Sequence, residues 1–464
     1  MNRLESIKIF FSAKDMTVGK PWKNLIAFTL PMLVGSVVQQ MYVTVDAIVV
    51  GRFVGDDALA AVGSTMALYN LVLVLFIGIS SGAGIMVSQY YGAKKREELS
   101  RTIGACLVTL TIACLALMVA APFGTRPLLR MLNTPEPILD WSVAYINILI
   151  FGVLGFGYYN ILTGIIRGLG DSFSPLVYLV IASVLSAALD LLFVAVFGWG
   201  VVGAAVATVI STFLSGGLCL MRLFKMRDIF DINKKYLRPV KSYVIQLTRL
   251  GLPTGASQAV FSLAMIMVQS LINSFGESFM ASSMIVIRID GFVIMPIFSF
   301  GAAIMVFTGQ NMGAGKYDRV RQGTRQCILM SIGTSALIVT AIVLFGGSVA
   351  RLFTGTNEIA ETSARILRIL AAGYMSLSIG QVVWSVIRGA GDTMTPMWVL
   401  IVTIVVIRVP MSYGFVWLTE RPETIYLASL ISWTFSSVIG FILFKKGNWQ
   451  TKGLIKDGPA AEFG

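Results

Sequence analysis

A carboxylate stands inside the first long apolar run of this sequence. Asp46 follows Gln39 and Tyr42 at a spacing of i, i+3 and i+7, which places the three side chains on one face of a helix. An ionisable residue at such depth in a bilayer is costly unless it has a partner or faces a wet cavity, so function is its default interpretation. We therefore interpret Asp46 as a functional acid, with structural hydrogen bonding as the alternative.

A second carboxylate, Asp190, interrupts the fifth apolar run. Counted from the nearest loops, Asp46 and Asp190 lie at similar depth, as do the phenol of Tyr145 and the hydroxyl of Thr208. Two carboxylates with neutral oxygen donors can bind a hard cation or share a proton. These four residues therefore form a predicted cation site. For Asp190 the alternative is a buried polar network that only holds helices together.

Membrane-spanning helices must position these acids. Apolar residues make up 56% of the 464 residues, charged residues 13%, and the mean hydropathy is +0.81, which leaves too little polar surface to coat a soluble globule. Twelve apolar runs reach the roughly 20 residues that a helix needs to cross a bilayer. The predicted fold is an all-α membrane protein of twelve transmembrane helices, in which 139–166, 174–197 and 396–418 are each one continuous helix.

The composition excludes several kinds of catalytic site. The sequence contains no histidine, which removes histidine zinc sites, Ser-His-Asp triads and histidine proton relays, so carboxylates must handle any proton. No nucleophile or metal set is recognisable, and we expect neither an enzyme nor a cofactor. The cysteines lie in apolar segments without CxxC spacing and are predicted to be small buried side chains: Cys106, Cys114, Cys219 and Cys327.

The net charge of +13 is explained by orientation in a membrane. Most Lys and Arg residues lie in alternate loops and near the two ends of the chain, and the positive-inside rule places those segments in the cytoplasm. We therefore expect a multi-pass protein of the cell membrane with both termini cytoplasmic, and no nucleic-acid partner. The opposite set of loops carries Arg52, Arg126, Arg130, Arg351 and Arg421.

An internal repeat divides the chain. Ile166-Arg167-Gly168-Leu169-Gly170-Asp171 with Pro175 returns 221 positions later as Ile387-Arg388-Gly389-Ala390-Gly391-Asp392 with Pro396. These loops resemble phosphate-binding glycine loops only superficially, because no strand precedes them, and we interpret them as tight turns. The repeat predicts two halves of six helices each.

The predicted organisation follows from the repeat. Residues 25–223 form an amino-terminal lobe and residues 244–444 a carboxy-terminal lobe, with a cytoplasmic segment at 1–24, a basic cytoplasmic linker at 224–243 and a tail at 445–464 whose end is interpretable as vector-derived. Because six is even, a pseudo-two-fold axis along the membrane normal relates the lobes. A cavity between such lobes is the expected substrate site, so transport is the leading class by fold-level analogy.

The sequence resembles the multidrug and toxic compound extrusion family over nearly the whole chain. The resemblance rests on Pro31, Gln39, Val45-Asp46 and Val49-Val50-Gly51 in the first span, followed by the repeated Arg-Gly-x-Gly-Asp-x-x-x-Pro loops. It implies twelve helices in two lobes and export of cationic or amphipathic drug-like molecules from a lipid bilayer in exchange for H+ or Na+. A monomer is expected.

The resemblance also implies roles for individual residues. Asp46 and Asp190 would be the cation-coupling acids, with Tyr145, Thr208 and Ser186 beside them. If the ion is Na+, its ligands would be Asp46, Asp190 and Thr208. Pro31 matches the proline at which the first helix of related proteins bends. The predicted substrate-binding residues are Gln39, Tyr42 and Asn160.

Two departures narrow the resemblance. Ser186 stands one turn before Asp190, where related proteins often have an asparagine, which weakens an assignment to sodium. The seventh span offers Gln258 and Gln269 but no acid. The resemblance is therefore to the branch like the DNA-damage-inducible protein F, which works from its first lobe.

The second half carries its own charged residues in apolar runs. Arg288 and Asp290 interrupt the eighth span, and because they are two positions apart they point to different faces of a helix. Asp290 either lines the cavity or neutralises an arginine. Intramembrane arginines, among them Arg365, Arg368 and Arg408, keep a second function open, a flippase for lipids or lipid-linked oligosaccharides of a related two-lobed fold.

Overall fold

The computed structural model describes residues 14–455 with a few gaps. Side chains are likewise not described at 45–52, 56–64, 66–68 and 71. The residues omitted within 14–455 are Gly55, Leu132, Asn133, Ile232, Lys234 and Pro239.

Helices make up nearly all of this described part, and no strand occurs in it. Eleven of its helices are long and apolar enough to cross a membrane, or twelve if a bent pair counts as one span. The predicted all-α membrane fold is confirmed. In chain order the helices are α1 Pro21–Phe53, α2 Asp56–Gly92, α3 Arg96–Met131, α4 Glu136–Phe151, α5 Val153–Gly168, α6 Phe173–Asp190, α7 Gly200–Lys225, α8 Lys241–Asn273, α9 Glu277–Gly313, α10 Tyr317–Arg351, α11 Asn357–Gly389, α12 Met394–Ile401, α13 Val409–Thr419 and α14 Ile425–Lys446.

The fourth span is bent, although 139–166 was expected to be one continuous helix. The axes of α4 and α5 differ by 45° across Gly152. A Cβ atom at Gly152 would lie 2.5 Å from Cγ2 of Val209 on α7. Only glycine permits this close approach of the bend to α7.

Two further spans contain π-helical turns. Leu191–Val196 follows α6 directly, and Val402–Arg408 joins α12 to α13. Each π-helix lies next to an ionisable residue inside a span, because Asp190 precedes the first and Arg408 ends the second. Such π-turns widen a helix locally and are frequent at functional sites.

The chain forms two compact units. Unit 1 comprises Val34–Gly255 with the described residues up to Asp15, and unit 2 comprises Met16–Leu33 and the described residues from Ala256 onward. Helices α1 and α8 therefore each contribute to both units, with a change of unit just after Pro31 and Pro253. The sequence prediction places all of α1 in the amino-terminal lobe and all of α8 in the carboxy-terminal lobe. In the structure, the first part of α1 packs with unit 2 and the first part of α8 packs with unit 1.

In unit 1, four glycines let α2 and the first part of α8 pack backbone to backbone. A Cβ atom at Gly78 would lie 2.7 Å from the carbonyl oxygen of Gly251 and 2.7 Å from the amide nitrogen of Gly255. A Cβ atom at Gly82 would lie 2.8 Å from the amide nitrogen of Gly251. Both helices thus present glycines four positions apart, the spacing that allows close helix contact in membranes.

In unit 2, apolar side chains hold the first part of α1 against α9. Phe28 and Met32 of α1 are buried in one cluster with Ile304 and Phe307 of α9. Met16, which precedes α1, is fully buried in the same cluster. The contact between α1 and α9 is therefore made by apolar side chains, whereas the contact between α2 and α8 is made by the backbone at glycines.

Arginines anchor the segments that lead into α1 and α8. Arg319 donates to the carbonyl oxygen of Met16, whose amide donates to Oε1 of Gln310 at 2.8 Å. In unit 1, Arg96 forms a 2.8 Å salt bridge with Asp231 of the linker. This hydrogen-bonded contact with Arg96 lowers the pKa of Asp231 below its ordinary value. Each anchor fixes the entry of a helix that contributes to both units.

The repeated loops are tight turns, as predicted. The Asp171 carboxylate accepts from the amide of Ser174 at 2.9 Å, and the Asp392 carboxylate accepts from the amide of Thr395 at 3.0 Å. Oδ2 of Asp171 also accepts hydrogen bonds from Nε and Nη2 of Arg222. These side chains cap the free amide groups at the starts of α6 and α12. The positive φ angles that the turns require fall on Gly170 and Gly391.

Candidate functional site

Hydroxyl groups from three helices of unit 1 meet at Tyr42. The Tyr42 hydroxyl lies 3.2 Å from Oγ1 of Thr208 on α7. Ser186 on α6 donates to the same hydroxyl at 3.3 Å. Because Tyr42 accepts from Ser186, it can donate to Thr208, so the three groups form a short relay across α6, α1 and α7.

Asp190 lies one helical turn after Ser186 and is completely buried. A charged carboxylate at such a position is costly unless a proton, a cation or a hydrogen-bonding partner compensates it. The π-helix Leu191–Val196 starts at the next residue, so the backbone changes its winding at this acid. A buried acid at an irregular turn beside neutral oxygens has the composition of an ion-coupling site.

The side chain of Asp46 lies outside the described part of the structure. Its backbone belongs to α1, where it follows Tyr42 by four residues and therefore shares its helix face. The predicted pairing of Asp46 with Asp190, and the Na+ ligand set of Asp46, Asp190 and Thr208, stay predictions.

Tyr145 is buried beside the π-helix Leu191–Val196. It is 4% exposed and packs in an apolar cluster with Val194 and Val201. The same cluster contains Tyr69, which the sequence did not single out. Tyr69 also interacts electrostatically with Tyr42, which places it next to the hydroxyl relay. Its only sequence signal is a tyrosine within an apolar run.

The residues predicted to bind substrate lie in different environments. Gln39 is exposed on α1. The amide of Asn160 donates to the carbonyl oxygen of Phe156 in its own helix at 2.9 Å, while the backbone oxygen of Asn160 accepts from Ser80 at 2.6 Å. Pro31, the predicted hinge, is buried within a helix that continues through it.

A cavity of about 240 Å³ adjoins Tyr69 in unit 1. Its walls come from α2, α3 and α4 and are almost wholly apolar. Such a lining suits the hydrocarbon part of a ligand rather than an ion. The lining residues are Tyr69, Val72, Leu117, Ala120, Ala121, Gly124, Thr125, Leu128, Ile146 and Ile150.

Unit 2 contains a second buried polar cluster. Tyr374 of α11 donates a 2.6 Å hydrogen bond to Oδ1 of Asp290 on α9. Arg408, which is 8% exposed, interacts electrostatically with Asp290. Arg288 is exposed and forms no ion pair within the described residues. The charged neighbour of Asp290 is therefore Arg408 and not Arg288, which precedes it by two positions.

Comparison with known proteins agrees with this duplicated architecture. The family model MatE matches the chain twice, at residues 31–192 and 253–414. The two matches begin at Pro31 and Pro253, the prolines next to the changes of unit in α1 and α8. The family model thus recognises the same two halves that the repeated turns mark.

Curated relatives match along most of their length. "Probable multidrug resistance protein YoeA" of Bacillus subtilis (strain 168) is 31% identical over 84% of this chain and 86% of its own length. "Multidrug resistance protein NorM" of Vibrio cholerae serotype O1 is 25% identical over 87% of this chain and 90% of its own.

Solved structures match the fold over nearly the whole chain. One described as the outward-facing conformation of a multidrug resistance MATE family transporter of the MOP superfamily has a TM-score of 0.87 and 25% identity, covering 93% of this chain and 97% of the other. One described as MATE in the bent conformation also has a TM-score of 0.87, with 93% and 96% covered.

Proposed function

This chain belongs to the MatE family of membrane transporters, and we propose that it is a multidrug efflux antiporter that exports cationic or amphipathic small molecules in exchange for H+ or Na+. The names of relatives from Bacillus subtilis and Vibrio cholerae support multidrug export. The chain is a transporter and not an enzyme. The positively charged loops support a location in the cell membrane with both termini cytoplasmic.

The coupling ion binds beside the buried end of α6. Asp190 supplies a negative charge, and Tyr42, Ser186 and Thr208 supply neutral oxygens. Asp46, one turn beyond Tyr42, supplies the second carboxylate. A bound proton or Na+ neutralises charge that would otherwise be costly among apolar side chains. The observation that carries this proposal is the meeting of hydroxyls from three helices one turn from a completely buried acid.

Ion occupancy controls the helix that contacts substrate. Helix α1 carries Gln39, Tyr42 and Asp46 on one face, and these residues follow Pro31, whose missing amide hydrogen makes the helix easier to bend there. Cation binding favours a bent α1 and reduces the drug site, while cation release restores it. Such coupling requires that the cation bind the two conformations unequally. Access then alternates as the two lobes move.

The second lobe does not supply the coupling acid in this proposal. The seventh span, α8, contains Gln258 and Gln269 and no aspartate or glutamate. This absence supports the branch like the DNA-damage-inducible protein F, in which the first lobe carries the coupling acids.

Dye accumulation in cells tests the proposal. A host that lacks its own drug pumps should retain less ethidium when it expresses this protein, and the effect should depend on external pH or Na+. Asp46→Asn should abolish both the efflux and its ion dependence, because it removes one of the coupling charges. Asp140→Asn is the matched control, since Asp140 is an exposed acid that pairs with Arg126. Unchanged efflux and unchanged ion dependence in Asp46→Asn would dismiss the proposal.

A further inference from the structure

The guanidinium group of Arg408 is buried in unit 2 without a direct acidic partner. Arg408 is 8% exposed, its Nε has no hydrogen-bond acceptor, and it forms no salt bridge within the described residues. A buried charge without direct pairing costs several kcal/mol, which proteins tolerate mainly where a ligand or partner compensates it. Arg408 also ends the π-helix Val402–Arg408, an irregular turn of the kind found at functional sites.

The nearest acid is already occupied. Oδ1 of Asp290 accepts the 2.6 Å hydrogen bond from Tyr374, and the Tyr374 ring stacks on Trp433 with its centroid 5.9 Å away. These contacts fix the Asp290 carboxylate in place. Arg408 interacts with this carboxylate through space but does not form a salt bridge with it. Its donors are therefore left for another anionic group.

A tyrosine hydroxyl lies near this guanidinium, with a serine hydroxyl beside the tyrosine. Tyr426 of α14 interacts electrostatically with Arg408 and lies beside Ser283 of α9. Both residues are buried, and neither hydroxyl has a partner with hydrogen-bond geometry among the described residues. Three buried groups from α9, the π-helix and α14 can thus donate hydrogen bonds in one small region. Arginine with hydroxyls is the donor set that recognises carboxylates.

The charge of this cluster differs from that of the site in unit 1. In unit 1, the hydroxyls of Tyr42, Ser186 and Thr208 meet one helical turn from Asp190 and are neutral, which suits a cation. In unit 2, a guanidinium stands near the acid and repels a cation at short range. The two halves of the repeat therefore offer sites of opposite preference.

We propose that Arg408, with Tyr426 and Ser283, binds the carboxylate group of zwitterionic or anionic substrates. This inference rests on the proposed export function and adds a substrate class to it. The guanidinium makes a charge-assisted, bidentate contact with the carboxylate, and the two hydroxyls donate to the remaining lone pairs. Asp290 stays with Tyr374 and balances the charge of Arg408 when no substrate is bound.

A matched pair of ligands tests the proposal on the unmutated protein. A zwitterionic fluoroquinolone and its ethyl ester differ only in the carboxylate that Arg408 would bind. We expect the ester to show a KM for transport into inside-out vesicles at least tenfold higher than that of the acid. Equal KM values would overturn the proposal. Ethidium has no carboxylate and reports separately on export. If the protein transports ethidium but does not prefer the fluoroquinolone to its ester, only the carboxylate site is wrong. If it transports none of the three compounds, the proposed function is wrong.

Variants separate substrate binding from structural charge balance. Arg408→Gln should bring the ratio of the ester KM to the acid KM close to one, but it also leaves the partly buried Asp290 without its counter-charge, so it should lower the Tm. The double variant Asp290→Asn with Arg408→Gln removes both charges and should recover the Tm. The control Arg365→Gln removes an exposed arginine of the same unit that pairs with Glu423, and should keep the unmutated ratio.

The double variant decides between the two roles. If Arg408 binds the carboxylate, the KM ratio stays near one in the double variant although its Tm has recovered. If Arg408 serves only as the counter-charge of Asp290, the ratio returns to the unmutated value together with the Tm, and the proposal is wrong. Arg408→Lys, which keeps the charge but loses the bidentate fork, should give an intermediate ratio if it folds.

Discussion

The Tyr42 hydroxyl is held from two sides, by Ser186 and by Thr208. Ser186 lies one turn before the buried Asp190 on α6 and Thr208 lies on α7, so the phenol ties α1 to the region in which a cation would bind. A side chain in this place affects both the stability of unit 1 and the geometry of the oxygens around the ion. The two effects can be measured separately.

Tyr42→Phe should weaken ion coupling without disrupting the fold. The substitution keeps the ring and removes one hydroxyl, which should cost about 1 kcal/mol of stability because the buried Ser186 and the partly buried Thr208 lose their hydrogen bond. We expect the concentration of the driving cation that gives half-maximal transport to rise several-fold. Transport titrated against pH and against Na+ measures this change.

Tyr158→Phe is the control for that substitution. The Tyr158 hydroxyl lies 2.7 Å from Oγ1 of Thr111, in the same unit but outside the relay. It should lose a similar amount of stability and keep the unmutated cation dependence. If both variants shift the cation dependence equally, Tyr42 acts only through stability and has no part in the ion site.

Individual residues could be predicted from the sequence only in part. Asp190, Ser186 and Thr208 were recognisable because a polar residue in an apolar run is conspicuous. Tyr69 and Tyr426 were not, because an aromatic residue with one polar atom looks like any other core residue until its neighbours are known. Their positions depend on packing between helices that are far apart in sequence.

At the scale of helices, glycine determines how α8 enters unit 1. Gly78 and Gly82 of α2 and Gly251 of α8 lie so close to the facing backbone that a Cβ atom would clash with it, and Gly255 of α8 lies against Gly78. The first part of α8 is thereby fixed to α2 up to Gly255, and the rest of the helix, from Ala256, belongs to unit 2. The contact with α2 holds the start of α8 in unit 1, and Pro253 removes a backbone hydrogen bond close to the change of unit. A bend in α8 is therefore expected near Pro253.

Gly78→Ala should destabilise the protein through this contact. The added methyl group would meet backbone atoms of Gly251 and Gly255 at 2.7 Å, and backbone atoms cannot rotate away as a side chain can. Overpacking of this kind costs about 1–3 kcal/mol, and we expect a correspondingly lower Tm for the purified protein. Gly217→Ala, where no heavy atom lies within 4 Å of the new methyl group, should leave the Tm unchanged or raise it slightly. Equal Tm values for the two variants would contradict this interpretation of the interface.

The irregular turns show what hydropathy cannot predict. The apolar runs gave the existence and order of the helices, because length and composition suffice for that. They gave no sign of the bend at Gly152 or of the π-helices beside Asp190 and Arg408. The bend lies at Gly152, which packs closely against Val209 of another helix, and such tertiary contacts are absent from a one-dimensional pattern.

At the scale of the whole molecule, one fold has been duplicated and its two polar centres have diverged. The repeated turns at Asp171 and Asp392 predicted the two halves correctly, since each uses the same cap at the start of a helix. The centres themselves differ, with hydroxyls that meet one helical turn from Asp190 in unit 1 and a guanidinium near Asp290 in unit 2. The sequence could not predict that α1 and α8 each contribute to both units, because this division depends on contacts and not on hydropathy.

If ion occupancy at Asp190 drives export, the flux of substrate in proteoliposomes must depend on that carboxylate when only an ion gradient supplies energy. Ethidium flux is measured with the purified protein under a proton gradient alone and under a Na+ gradient alone, for the unmutated protein, Asp190→Asn and the exposed control Asp140→Asn. We expect one of the two gradients to drive flux in the unmutated protein and in Asp140→Asn, and the flux through folded Asp190→Asn to be at least tenfold lower. Full gradient-driven flux in Asp190→Asn would show that this carboxylate does not couple the ion to export.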